Sequence, residues 1–345
     1  MKIELKILPV YQGDAIVINC IEDDFRILVD TGTKRAYSKG ILKAEFDKTN
    51  KFDLLVLTHT DEDHIGGLIK YLDYKENKQS IFKKIWFNSG EVINSNINQL
   101  NKQVPEIILD KQENLELSVK QGISLEKKLN CIGLASNELI KAGGTYKFGN
   151  VEIIILSPEI DDLENFLKEW SLETEKQLQM SKVSDYEKPI SELLKLEYTE
   201  NGTLANKTSI AFVLNYDKRS ILLMGDAYPS IIEANLRKLG YNEINKYKLD
   251  FVKVSHHGSS YGISPKLLEI IDCMDFIIST NGSNGLPFKE CLARIVAHRK
   301  EKVFLHFNYK NEITQNIFSK QDFSDYNFEV KYLSEKNDYT IKLSE

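Results

Sequence analysis

An α/β (α+β) fold of two sheets packed face to face, with helices outside and a helical insertion in the middle, is what this sequence predicts. Three observations carry that expectation. Strand-like runs precede and follow a polar, helical middle. The opening strands are joined by tight turns, as in an antiparallel meander rather than a βαβ unit. Several apolar runs also end in side chains of the kind that bind metals. With 345 residues, 42% hydrophobic and 28% charged, the chain has the composition of a folded globular protein and the length for one large two-layer domain or two smaller ones. The expected organisation is one domain over residues 1–345, interrupted by polar, helical insertions or a lid at about 90–145 and 159–205.

Residues 2–8 alternate as KIELKIL, a period-two strand with one wet face. Gln12, Gly13 and Asp14 turn the chain into a second strand, Ala15 to Cys20. A third, Phe25 to Val29, ends in Asp30, Thr31 and Gly32. Turn capping explains Asp14 and Asp30 about as well as a functional role does. The apolar run Phe52 to Leu57 reads as a buried strand, and Gly66 and Gly67 open a helix through Leu68, Ile69 and Leu72. A strand at Lys84 to Phe87 follows, then helical spacing near Ile93 to Leu100 and Leu115 to Leu129. Lys147 to Leu156 returns to strand character and stops at Ser157-Pro158. Leu163, Phe166, Leu167 and Trp170 recur at helical spacing and are expected to pack on the body of the protein. Strands at Ile210 to Leu214 and Ile221 to Met224 precede a helix from Pro229 to Leu239. A strand from Leu249 to Val254, a helix from Pro265 to Ile271 and a strand from Phe276 to Ser279 come next. The turn NGSNGLPF leads into a helix at Lys289 to Arg299, and strands close the chain. His306, inside VFLHF, is expected in the core, and His298, beside Arg299 and Lys300, in solvent.

The net charge of -6 does not advertise non-specific affinity for nucleic acid or anionic membranes, though it allows a local basic groove. Lys246, Lys248, Lys253, Arg294, Arg299, Lys300 and Lys302 are candidates for one, with exposed helical charge as the plainer explanation. The start, MKIELKILPV, reads as neither signal peptide nor membrane span. Cys20, Cys131, Cys273 and Cys291 are far apart and form no CxxC pair, so free thiols in a reducing cytoplasm are expected. No GxGxxG or Walker sequence supports a nucleotide cradle.

The most informative stretch is FDLLVLTHTDEDHIGG, residues 52–67. Directly after an apolar strand it delivers His59, Asp61, Asp63 and His64, two of the chain's six histidines among them. Carboxylates crowded on so short a loop repel one another unless a cation lies between them. The mix of imidazole and carboxylate suits zinc, manganese or iron. Two later strand ends carry the same kind of residue: Gly225-Asp226, and Ser255-His256-His257-Gly258-Ser259. A fold that aligns strand ends would gather all three groups.

These residues resemble the metallo-β-lactamase superfamily, and most closely the hydrolase domain of the competence protein ComEC and its free-standing relatives. QGDAI (12–16), LVDTG (28–32), LTHTDEDHIGG (57–67), LSP (156–158), NKTS (206–209), LLMGD (222–226) and VSHHGS (254–259) stand in the family order. The resemblance runs from about residue 3 to about 310. It implies an αββα sandwich with a metal site at one edge, and hydrolysis, commonly of phosphodiesters, by a metal-bridging hydroxide. It also implies two divalent ions, zinc or manganese, with magnesium a further candidate. The first position would hold His59, Asp61 and the shared Asp226, with Asn206 or water. The second would hold Asp63, His64, Asp226 and either His256 or His257. The remaining histidine of that pair would donate a proton or meet a phosphate. Asp14, Asp30, Asn206 and Ser209 would orient ligands from behind.

Two departures qualify the match. Many members have His where this chain has Asp61, and a further His near Asn206–Ser209, where none is present. Carboxylate in place of imidazole hardens the first position, which favours manganese or magnesium. Relatives often carry His before Pro in the late turn, where Leu286 precedes Pro287 here. The expected substrate is a short phosphodiester, nucleotide or nucleic acid, with no membrane association. Hydrolysis of an ester, lactone or thioester is the alternative within the superfamily. A further alternative is a component of a multi-protein, defence-type assembly with a partner such as an ATPase.

Overall fold

The structure is a computed structural model that describes residues 2–49, 51–74, 81–100, 117–170, 184–335 and 337–343. Stretches 101–116 and 171–183 of the two expected insertions, Leu115 among them, lie outside the described residues, as does the Trp170 side chain. Among the described residues the first sheet contains β1 (Ile3–Ile7), β2 (Ile16–Cys20), β3 (Phe25–Val29), β4 (Leu54–Val56) and β5 (Ile85–Trp86). The second contains β6 (Thr145–Phe148), β7 (Val151–Ser157), β8 (Ala211–Tyr216) and β9 (Arg219–Leu223), continued by β11 (Phe251–Lys253), β13 (Asp275–Ile278), β14 (Val303–Phe307) and β15 (Phe328–Tyr332). Between these run a short pair, β10 (Tyr247–Lys248) with β12 (Ile271–Asp272), and the last strand, β16 (Thr340–Leu343), returns to the first sheet beside β1.

Each sheet is half antiparallel and half parallel. β16, β1, β2 and β3 form the antiparallel part of the first, and β3, β4 and β5 run parallel. In the second, β6 to β9 are antiparallel, and β9, β11, β13, β14 and β15 run parallel. Side chains alternate across the sheets with the two-residue period of a strand. Ile3, Leu5, Ile7, Leu54 and Val56 meet Ile153, Ile155, Phe212, Ile221, Leu223 and Ile277 in one core between the sheets. The alternate residues Leu28 and Leu55 face helices on the outside of the first sheet. Leu222, Val252, Phe276 and Ile278 do the same on the second, against Ile232, Leu267 and Leu292. The result is the expected helix–sheet–sheet–helix layering. A separate small cluster joins Ile93, Ile97, Val119, Leu163, Phe166, Leu167 and Ala205, so the described parts of the two middle segments pack on one another.

Local differences from expectation have physical causes. Residues 147–156 are not one strand: Gly149, at φ +59°, turns the chain back between β6 and β7. The helix expected to open at Gly66 begins at Glu62 and takes Asp63, His64 and both glycines into its first turns. Close packing overrides glycine's low helix propensity there. A Cβ on Gly67 would lie 2.0 Å from the Thr31 carbonyl oxygen. His298 is half-buried at the end of the helix Lys289–Ala297 instead of solvated. His306 is buried, 2.7 Å from Asp275 Oδ1.

Candidate metal centre

The C-terminal ends of the parallel strands supply this centre from both sheets. After β3 comes Asp30, and after β4 the His59–His64 loop. Asp226 follows β9, His256 and His257 follow β11, and Ser279 follows β13. Asp61 is the N-cap of the helix Glu62–Leu72, yet its carboxylate makes no capping hydrogen bond and is left to face the loop. Two hydrogen bonds, one of them between backbone groups, bring the distant segments together. His256 N–H donates to the Gly225 carbonyl at 3.0 Å, and Ser255 Oγ donates to the Ala227 carbonyl at 2.7 Å, on either side of Asp226. His256 and His257 both adopt left-handed backbone, at φ 45° and 53°. Such conformations cost roughly 1–3 kcal/mol each in a non-glycine residue, so the surrounding packing must impose them.

Asp226 is the meeting point. Its Oδ2 lies 3.6 Å from His59 Nε2 and 3.7 Å from His256 Nε2. Its Oδ1 lies 3.4 Å from His64 Nε2 and 4.0 Å from His257 Nε2. Asp61 Oδ2 is 3.4 Å from His59 Nε2, and Asp63 Oδ2 is 3.4 Å from His257 Nε2. The seven sequence-nominated residues therefore lie together, sorted on the two sides of one carboxylate.

Behind them, a second layer of contacts fixes the imidazoles. Asp30 is fully buried, accepts from Thr58 N and Thr58 Oγ1 at 2.8 Å each, and lies 2.8 Å from His64 Nδ1. Thr58 Oγ1, its proton given to Asp30, accepts from His59 Nδ1 at 3.0 Å. His257 Nδ1 donates to the Ser279 carbonyl at 2.9 Å, since a carbonyl can only accept. Ser209 Oγ accepts from Asp226 N at 3.1 Å and also lies 3.1 Å from His59 Nδ1. Asp14 is buried against Lys253 Nζ at 2.7 Å, touches Ser279 Oγ and lies 3.5 Å from His257 Nδ1. Asn206 gives its oxygen to Thr203 N at 3.0 Å and its Nδ2 to Asp226 Oδ2 at 3.1 Å, so its oxygen is not offered as a ligand. With every Nδ1 engaged, that of His256 by Tyr261 Oη at 2.6 Å, each Nε2 is left to face the carboxylates.

The profile of the metallo-beta-lactamase superfamily matches residues 8–124, which contribute Asp14, Asp30 and the entire His59–His64 loop. The fold is that of the metallo-beta-lactamases. Among curated proteins, this metallo-beta-lactamase-fold chain is similar to ComE operon protein 3 of Bacillus subtilis (strain 168), at 20% identity over 93% of the chain. It spans only about a third of that relative's length, 35%. Solved structures that resemble it include the metallo-beta-lactamase fold protein YhfI of Bacillus subtilis, with 11% identity, TM-score 0.45 and 99% of both chains covered. Zn(2+)-bound PqqB of Methylobacterium extorquens is similar at 9% identity and TM-score 0.42, over 99% of this chain and 100% of that one. A diphosphatase of the PhnP family matches at 10% identity and TM-score 0.39, over 99% and 98%.

The donor set of this centre fits divalent ions. Nε2 of His59, His64 and His257 and Oδ1 of Asp226 are buried and make no hydrogen bond. Orphaned atoms of this kind are rare in folded interiors and call for an explanation. Ligands about 2.1 Å from a tetrahedral ion lie roughly 3.4 Å apart, the spacing found between His59 and Asp61, His64 and Asp226, and His257 and Asp63.

Charge states without an ion follow from the same geometry. Burial opposes charging His257, but Asp14 and Asp226 outweigh it and hold the imidazole up at about 9. For His64, burial is likewise outweighed by Asp226 and Asp30, which raise it well above its usual value. Burial works to raise the carboxyls, yet the imidazoles hold Asp226 well below the carboxylate range and Asp63 at about 2. His256 differs: burial keeps it below the usual histidine value despite Asp226. A raised histidine adds stability that is complete below its unfolded value of about 6.5 and lost as pH passes the folded value. The ion-free protein is therefore expected to lose melting temperature as pH rises from about 6.5 through about 9. Thermal melts in chelator check this, and a flat profile across that window would contradict it.

Several residues of the centre carried weak signals in the sequence or none. Lys253 stands alone in the apolar run FVKV, and a lone charge in a buried strand calls for a buried partner, here Asp14. Thr58 sits inside the ligand motif, whereas Ser279 and Tyr261 had no sequence signal. The proposed basic groove loses two members. Lys253 is buried in its ion pair, and Arg294 is buried on the carbonyls of Ile263 and Ser260 and on Glu290.

Proposed function

We propose that this chain is a metal-dependent hydrolase that seats two divalent ions and acts on phosphodiesters. The observation that carries the reading is Asp226, whose Oδ2 lies 3.6 and 3.7 Å from the Nε2 atoms of His59 and His256 and whose Oδ1 lies 3.4 and 4.0 Å from those of His64 and His257. On this reading Asp226 is shared, His59 and Asp61 belong to the first position, and Asp63, His64 and His257 belong to the second. Two divalent ions, manganese or zinc, would supply an activated water near neutral pH and clamp the attacking and leaving oxygens of an in-line displacement. Asp61, Asp63 and Asp226 bring three negative charges against the four positive charges of two such ions, leaving a slight positive excess that suits an anionic ester. Asp30, Thr58 and the Ser279 carbonyl hold the proton on each Nδ1 and so keep Nε2 as the donor atom. Asp61 and Asp63, at 30% and 27% side-chain exposure, form the side open to substrate, whereas Asp226 is closed to solvent.

The engagement of Lys253 and Arg294 within the fold favours a second reading, an uncharged carboxylic ester, lactone or thioester. Parallel assays on bis-p-nitrophenyl phosphate and p-nitrophenyl acetate separate the two. Wild-type protein loaded with manganese or zinc is expected to turn over the phosphodiester, and Asp63→Ala to lose that turnover. A fully loaded wild type that cleaves only the acetate would overturn the phosphodiester assignment.

A further inference from the structure

We propose that His256 is the ligand that completes the first ion position, occupying from the far end of the chain the place left vacant by Asn206. The inference rests on the two-ion reading above and names the residue on which its first position depends. Three observations point to it. Asn206 presents an amide N–H to Asp226 Oδ2, because its carbonyl oxygen accepts from Thr203 N and Thr203 Oγ1 at 3.0 and 2.6 Å. Asn206 therefore offers no lone pair on that side of Asp226. On the Oδ2 side of Asp226, the available lone pairs come from His59 Nε2 at 3.6 Å, from Asp61, which approaches His59 Nε2 to 3.4 Å, and from His256 Nε2 at 3.7 Å. These separations are those of ligands sharing one cation rather than of hydrogen-bonded pairs.

The second observation is the strained turn. Consecutive left-handed residues swing neighbouring side chains apart, and the ring centroids of His256 and His257 are 6.0 Å from one another. His257 reaches the Oδ1 side and Asp63, and His256 reaches the Oδ2 side. An extended pair would send alternate side chains to opposite faces and could not straddle one carboxylate. The doubled strain thus has a use only if both imidazoles are needed at Asp226.

Third, the His256 ring is held from behind like the others. Tyr261 Oη lies 2.6 Å from His256 Nδ1, and Tyr261 itself is buried. In the tautomer whose Nδ1–H donates to that oxygen, the Nε2 lone pair points at the centre, the arrangement that orients metal-binding histidines. At 22% side-chain exposure His256 is the open member of the four, so the first position is the one that exchanges with solvent.

Metal stoichiometry tests this independently of turnover. After loading with manganese or zinc and desalting, wild type is expected to retain two equivalents per chain. His256→Gly, which suits the left-handed backbone and so preserves the turn, is expected to retain one. Tyr261→Phe keeps the ring and removes the acceptor, and is expected to weaken the ion at the first position about 10- to 100-fold while leaving the other unchanged. Two equivalents of unaltered affinity in His256→Gly, or an unaltered first ion in Tyr261→Phe, would overturn the assignment. A wild type that retains no ion would instead overturn the two-ion reading itself.

Discussion

Asp226→Asn is expected to empty both ion positions and to lower turnover by more than about a thousandfold. That exceeds the roughly 10- to 100-fold cost of losing an outer partner such as Asp30. The size follows from position: one buried carboxylate faces the Nε2 atoms of His59, His64, His256 and His257 within 4.0 Å. The asparagine side chain has the same shape, so packing is preserved, but it carries no charge and puts an amide N–H where a lone pair stood. Elemental analysis together with turnover of the phosphodiester checks the expectation, and a thermal melt shows that the fold is intact. Retention of two ions by the variant would contradict the shared role of Asp226.

A large loss of stability is expected at a position with no chemistry of its own. Gly67→Ala would place a methyl carbon 2.0 Å from the Thr31 carbonyl oxygen and 2.6 Å from Leu42 Cδ2. Backbone cannot rotate out of the way, so the helix Glu62–Leu72 must lift from the 31–34 segment. That separates Thr31 from His64, whose carbonyl now accepts from Thr31 N at 2.7 Å and Thr31 Oγ1 at 2.9 Å. Overpacking of this severity costs about 3 kcal/mol or more, a drop in melting temperature of at least about 5 °C. Gly40→Ala is the internal comparison, since open space surrounds Gly40 and only its left-handed backbone, φ +82°, is penalised. The expected loss there is about 1–2 kcal/mol. Equal losses in the two variants would show that the close approach is not what Gly67 provides.

Much of the layered fold was legible because strand periodicity and turn residues are local properties. The period-two pattern of residues 2–8 and the apolar run before His59 state which faces are buried, and the ligand loop announces itself by density of donors. Partner choice was not legible. Nothing in SHHG says which imidazole turns toward Asp63, because that is decided by two left-handed residues whose strain tertiary contacts impose. Asn206 read as a candidate ligand because its carboxamide can face either way, and only the Thr203 contacts fix its oxygen. The helix start at Glu62 was hidden by two glycines whose presence reflects packing against Thr31 and Lys34, not local propensity. Lys253 and Arg294 looked like groove cations because charge in a sequence carries no record of a buried counterpart.

Asp14, Asp30 and His59–His64 arrive on one sheet, while Asp226, His256, His257 and Ser279 arrive on the other. On the proposed reading an ion here is a rivet through the seam between two halves of the molecule. Shearing the sheets apart and releasing the ions are then a single event. Free cation at a hundredfold excess over its dissociation constant adds about 2.7 kcal/mol to such a junction. The supply of metal would thus govern how long the protein lasts as well as how fast it works.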